Sequence, residues 1–131
     1  MKILLTGSNG QLGHDFKKIF DKKNIEYIAT DYKELDITSD ENLNKFFQEN
    51  EGITHVINCA AYNDVDKAET DKKVWLLNAE APEKLAEFSK KIGAIFVTYT
   101  TDFVFDGEKN SPYVEGDKTN GISEYGKSKA Q

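Results

Sequence analysis

Met1-Lys2-Ile3-Leu4-Leu5-Thr6-Gly7-Ser8-Asn9-Gly10-Gln11-Leu12-Gly13 opens the chain, and its reading governs everything after it. Ile3, Leu4 and Leu5 form a short apolar run closed by glycine, the pattern of a buried strand. Gly7, Gly10 and Gly13 then recur every three residues. The first glycine permits a tight turn out of the strand. The second lets backbone approach a pyrophosphate, and the third lets the next helix pack closely on the sheet. The N–H groups at the start of that helix then face the phosphates. The stretch from Gln11 to Asp21 supplies the helix, with Leu12, Phe16, Ile19 and Phe20 at helical spacing. A glycine-rich turn without a ligand is the alternative.

Apolar runs alternate with amphipathic stretches along the rest of the chain. Strands are expected at Lys2–Thr6, Glu26–Thr30, His55–Cys59 and Ala94–Tyr99. Thr38-Ser39-Asp40-Glu41 reads as a capping box opening a helix with Leu43, Phe46 and Phe47 on one face. A further helix is expected within Asp71–Ile92, begun or kinked by Pro82 and ended by Gly93. This alternation predicts parallel β-α-β units with right-handed crossovers. The expected fold is α/β: a Rossmann-type doubly wound parallel sheet, three-layer α/β/α and truncated, with strands in the order 3-2-1-4. Ligand is expected at the carboxyl ends of the strands. Beyond Thr100, Asp106-Gly107, Asn110-Ser111-Pro112 and Asn120-Gly121 signal turns.

Composition narrows the partners. The chain has 131 residues, enough for one domain, and carries a net charge of −6 with 17 lysines and no arginine. An acidic domain without arginine is a poor match for nucleic acid. No apolar run approaches the roughly 18 residues of a membrane span, and no secretory signal is visible. The single Cys59 excludes an intrachain disulfide and fits the cytoplasm; it reads as a buried, inert thiol. His14 and His55 stand apart, with no metal-ligand spacing, so no metal site is expected.

Asp31 follows the second strand, 18 residues after Gly13. A carboxylate there accepts hydrogen bonds from ribose hydroxyls and repels a 2′-phosphate, so NADH is favoured over NADPH, although Lys33 could offset it. Asp31 as a plain turn residue is the alternative. Asp36 and Ile37 could flank an adenine. Ala60 and Ala61 could lie under a cofactor or simply pack the core. Tyr125 and Lys129 stand four apart, one above the other on a helix face. A free phenol has a pKa of about 10, and a neighbouring ammonium favours the phenolate.

In order, the glycine loop, Asn58-Cys59-Ala60-Ala61, Thr100-Thr101-Asp102-Phe103-Val104-Phe105-Asp106-Gly107 and Tyr125-Gly126-Lys127-Ser128-Lys129 resemble the extended short-chain dehydrogenase/reductases. Val65-Asp66-Lys67-Ala68-Glu69 and Asn78-Ala79-Glu80-Ala81-Pro82 bring the chain nearest to that family's dTDP-4-dehydrorhamnose reductase branch. The resemblance implies reduction of a 4-keto sugar nucleotide by NADH or NADPH. It makes Tyr125 the proton donor and has Lys129 lower its pKa and bind the nicotinamide ribose. Thr101 would bond the substrate oxygen, with Asp102 beside the sugar. Gly7, Gly10, Gln11, Leu12, Gly13, Asp31, Asp36, Ile37, Ala61, Tyr62 and Asn63 would line the cofactor together with Tyr125 and Lys129, and Asn78 would support the active site.

Related dehydratases carry Thr-Asp-Glu where this chain has Thr101-Asp102-Phe103, which argues against dehydration. A non-catalytic reading also follows from resemblance: a dinucleotide-binding regulatory subunit like that of methionine adenosyltransferase. Two departures bear on substrate fit, Asn63 in place of a small Ser or Thr, and Gly121-Ile122 in place of Pro-Leu. Family members run to about twice this length, and some form dimers. The 131 residues are therefore expected to be the NAD(P)-binding domain, without the substrate-binding part and inactive alone. The helix bearing Tyr125 is expected to reach only about one turn, leaving that side chain mobile or misplaced unless a partner chain or crystal neighbour completes the helix.

Overall fold

The computed structural model describes residues 1–131. Four parallel strands, β1 (Lys2–Thr6), β2 (Glu26–Thr30), β3 (His55–Asn58) and β4 (Ile95–Thr98), form one sheet in the order β2-β1-β3-β4. β1 is central and buried on both faces, as expected of a parallel strand. Leu4 joins Val56, Leu43, Phe47, Leu85 and Phe88 in the larger core. Ile3 and Leu5 point the other way, to Phe20.

Those two cores explain why the expected order 3-2-1-4 is not found. Helix α1 (Gln11–Lys23) packs on the Ile3 and Leu5 face, whereas α2 (Asp40–Glu49) packs on the Leu4 face. With right-handed crossovers, a helix that changes face must reverse the direction of sheet growth. β3 therefore returns past β2 and pairs with β1, with Leu4 opposite Val56. The segment between β2 and α2 adds no strand outside β2. It turns at Asp31 and Asp36 and sinks Leu35 and Ile37 into the larger core.

α2 begins one residue later than the capping-box reading implied. Ser39 is the N-cap and accepts from the Asn42 N–H at 3.3 Å, while Thr38 is spent on Asp36. After β3 come a single turn, α3 (Val65–Ala68), and a long helical run. That run comprises α4 (Lys73–Trp75), a π-helical turn (Leu76–Glu80) and α5 (Ala81–Lys91). Pro82 does open α5, and the π turn just before it closes with Ala81 N–H donating to Leu76 O. Gly93 ends α5 at φ +71°, where glycine carries no Cβ penalty.

A 3-10 turn (Asp102–Val104) and a loop lead to α6 (Glu124–Ala130). α6 has seven residues, about two turns rather than one. Ser123 caps it, accepting from the Gly126 N–H at 3.0 Å. So short a helix does not hold alone; α6 is held by packing. Gly126 makes this possible: a Cβ there would sit 2.9 Å from the carbonyl carbon of Phe103, and closer still to its oxygen. No helix is long and apolar enough to cross a membrane.

Candidate active site

The cleft lies where growth of the sheet reverses, between the carboxyl ends of β1 and β3. Asn58, the last residue of β3, braces this edge. Its Oδ1 accepts from Thr6 Oγ1 at 2.6 Å and from the Ala60 N–H at 3.1 Å, and its Nδ2 donates to Thr98 Oγ1 at 3.3 Å. One residue thus ties three strand ends together. The glycine loop descends onto this floor. Gly7 has φ +65°, and a Cβ on it would lie 2.7 Å from Ala60 Cα. Gly13 is pressed as closely against the backbone of Ser8. Gly10 is the N-cap of α1 and uses no side-chain cap, so the first N–H groups of the helix remain available to a ligand.

Two cavities open off the floor and share Gly10, Cys59, Ala60, Ala61 and Asn63. One, of about 440 Å³, is bordered by Gly7, Asp31, Asp36 and Ile37. The other, of about 380 Å³, is bordered by Gln11, Leu12, Tyr125 and Lys129. Each volume lies in the range of small-molecule sites, roughly 300–1,000 Å³. Residues from both ends of the chain meet in the second cavity.

Asp31 is both a turn residue and a cleft residue. Its carboxylate accepts from the Asn9 N–H at 3.1 Å and the Tyr32 N–H at 2.8 Å, pinning the glycine loop to β2. Asp36 Oδ1 accepts from Thr38 N–H and Thr38 Oγ1, at 2.9 and 2.6 Å.

Some expected residues lie elsewhere. Tyr62 lines neither cavity. Its N–H donates to Asn78 Oδ1 at 2.8 Å, and its hydroxyl donates to Asp71 at 3.1 Å, so the ring is drawn away. Thr101 and Asp102 also lie outside both cavities. Thr101 Oγ1 accepts from the Phe103 N–H at 3.3 Å and caps the 3-10 turn, while donating to Asp102 at 3.1 Å. Both border a neighbouring opening that also includes Thr100 and Lys129. Thr100, not singled out from sequence, reaches the cleft itself, and its hydroxyl donates to the Lys129 carbonyl at 3.1 Å. Asp15 and Tyr99 join the wall without any advance signal in the sequence.

Cys59 borders both cavities and is half-buried rather than buried. Burial pushes its thiol up to about 11, so it is protonated and unreactive at neutral pH. Burial also lowers the pKa of Lys129, because a desolvated ammonium is disfavoured. The ring of Phe103 meets that of Tyr125 edge-on, centroids 5.8 Å apart. The residue after Thr101-Asp102 thus places an aromatic ring, with no carboxylate, beside Tyr125.

Asn78 joins these parts. It sits buried in the π turn, and its Nδ2 donates to Tyr62 O at 3.0 Å and to Ser128 Oγ at 3.2 Å. Ser128 Oγ donates in turn to the carbonyl of Tyr125 at 2.8 Å. The irregular helix therefore holds the Tyr125 helix against the loop that follows β3. π turns often occur at functional sites.

Known proteins share this fold. The dTDP-4-dehydrorhamnose reductase of Burkholderia thailandensis is 40% identical over 131 residues, covering 98% of this chain and 43% of that protein. A crystal structure of a dTDP-4-dehydrorhamnose reductase from Clostridium acetobutylicum superposes with a TM-score of 0.94 at 47% identity, covering 98% of this chain and 46% of that one. The Bacillus anthracis dTDP-4-dehydrorhamnose reductase, solved in complex with NADP, gives 0.91 at 33% identity, with coverage of 98% and 46%. The chain spans about half the length of the relatives it matches. The profile of the RmlD substrate binding domain matches residues 1–131, and the chain belongs to that family.

Proposed function

We propose that this chain is the dinucleotide-binding part of an NAD(P)H-dependent reductase that converts dTDP-4-dehydrorhamnose to dTDP-L-rhamnose. The observation that carries this reading is the shared cavity. Tyr125 and Lys129, from the last helix, border the same space as Gly10 of the glycine loop and Gln11 and Leu12 of α1. A proton donor and a phosphate cradle meeting in one cleft is what ketone reduction by a nicotinamide requires.

The residues fit a dinucleotide. Gly7 and Gly13 have no room for a Cβ, and the open N-terminus of α1 faces the cleft. Gly10 and the first turn of α1 would hold the pyrophosphate, with Asp31, Asp36 and Ile37 around the adenosine. A nicotinamide dinucleotide supplies the hydride. Tyr125 delivers a proton to the carbonyl oxygen as that oxygen becomes a hydroxyl. Lys129 stabilises the phenolate left behind and bonds the ribose. Thr101 and Asp102 orient the sugar from the neighbouring opening. The single half-buried thiol supports a cytoplasmic setting, and the acidic charge argues against nucleic acid.

NADH is the tighter cofactor on this reading, because Asp31 borders the adenosine cavity and would repel a 2′-phosphate. The Bacillus anthracis relative was solved with NADP, which supports a dinucleotide in this cleft and leaves NADPH as the competing cofactor. The test of the whole reading is turnover. A polypeptide joining this chain to a substrate-binding half is expected to oxidise NADH or NADPH with dTDP-4-dehydro-6-deoxy-L-mannose and release dTDP-L-rhamnose. Dinucleotide binding without turnover would instead favour a regulatory subunit.

A further inference from the structure

The proton donor sits on a helix too short to fix its own orientation, so something must set the angle at which Tyr125 and Lys129 face the cleft. Successive helical residues are 100° apart around the axis. Glu124 and Ser128 therefore form a pair of their own, one residue ahead of Tyr125 and Lys129 and on the adjoining face. Ser128 is held by Asn78, as described. Glu124 is held by a second set of contacts a turn earlier. Its Oε2 accepts from the indole Nε1 of Trp75 at 3.0 Å. Its Oε1 takes the Lys127 ammonium at 2.8 Å. Its own N–H donates to Glu69 at 2.9 Å. Lys127 and then Trp75 hold the Glu124 carboxyl below its ordinary range, so it is ionised at neutral pH.

We infer that Trp75 and Glu124 are positioning residues: their indole–carboxylate bond, together with Asn78 and Ser128 one turn on, sets the rotation of α6 that turns Tyr125 and Lys129 into the cleft. The inference rests on the proposed reductase reading for its catalytic consequence, but not for its geometry. The lever is long. A phenol oxygen lies roughly 9 Å from the axis of its helix, so a rotation of about 7° moves it by about 1 Å. A displacement of that size can cost about 10²-fold in rate. Trp75 lies in α4, directly before the π turn that carries Asn78, so one irregular helix supplies both anchors. Neither Trp75 nor Glu124 lines the cleft, so their effect is exerted through α6.

The experiment compares Trp75→Phe, Glu124→Leu and Glu124→Gln. Trp75 is the only tryptophan, so its indole N–H gives a single NMR resonance. In the 131-residue chain, Glu124→Leu is expected to shift that resonance and to weaken NADH binding several-fold with the melting temperature preserved. Glu124→Gln keeps an acceptor oxygen and is expected to restore both. In the complete enzyme, Trp75→Phe and Glu124→Leu should lower kcat about 10- to 100-fold, with the KM for dinucleotide raised only several-fold, in step with the weaker binding. Glu124→Gln should return kcat to near the wild-type value. Wild-type binding and kcat in Glu124→Leu would overturn the inference, and so would an unshifted indole resonance or a glutamine variant as impaired as leucine. If the wild-type enzyme does not reduce the sugar nucleotide, the proposed function fails. The indole and binding measurements on the chain then decide the positioning claim alone.

Discussion

Gly126→Ala is the sharpest single perturbation of this molecule, because it adds one methyl group at the seam between α6 and the 3-10 turn. The new Cβ would lie 2.9 Å from the carbonyl carbon of Phe103 and 3.3 Å from Ser123 Oγ. Carbon atoms in contact settle at about 3.5–4.0 Å. The obstacle is backbone, so no rotamer change relieves it, and α6 must retreat by roughly 1 Å. Overpacking of this kind costs about 1–3 kcal/mol. Alanine returns about 1 kcal/mol through its better helix propensity. The net cost to stability is therefore about 0–2 kcal/mol, and neither hydrophobic core is touched. On the proposed reading the cost to chemistry is larger, since a 1 Å error in Tyr125 as proton donor is worth about 10²-fold. The expected result is a near-normal urea unfolding midpoint with kcat down about 100-fold in the complete enzyme. Gly116→Ala, where a Cβ meets nothing within 4 Å, is the control and should change neither. A Gly126→Ala protein with an unmoved α6 and full turnover would refute the reasoning, because the seam would then have slack.

Other perturbations separate binding from chemistry. Tyr125→Phe keeps the ring against Phe103 but removes the proposed proton donor, so kcat should fall about 10²–10⁴-fold while calorimetry finds dinucleotide affinity unchanged. Asp31→Ala should narrow the proposed preference for NADH. A wild-type preference for NADPH of tenfold, about 1.4 kcal/mol the other way, would contradict the role assigned to that carboxylate. Cys59 should resist iodoacetamide at pH 8, where a thiol with a pKa of about 11 is about one part in a thousand thiolate. A free cysteine is about a quarter ionised there. The alkylation rate should climb toward pH 11 and drop when NADH occupies the cleft. Alkylation at a free-thiol rate would show that the cleft does not desolvate Cys59.

Much of this fold was readable along the chain, because strand and helix periodicity are properties of neighbouring residues. The four strands appeared within a residue of their expected ends, and Gly7, Gly10 and Gly13 sit where β1 meets α1. The Tyr125–Lys129 spacing announced a shared helix face before any fold was known. Strand order was not legible in this way. It followed from which core each helix chose, α1 with Ile3 and Leu5, α2 with Leu4, and that choice balances packing over the whole sheet. Thr100 and Thr101 are adjacent and chemically identical, so only the path of the 3-10 turn decided which one lines the cleft and which one caps. The anchors of α6 were equally invisible. Trp75 meets Glu124 across 49 residues and Asn78 meets Ser128 across 50. A local pattern records neither end of such a bond as belonging to the other. The residue types and their spacing were the sequence's own contribution. The angle at which Tyr125 and Lys129 enter the site arose only when distant segments closed on a helix too short to orient itself.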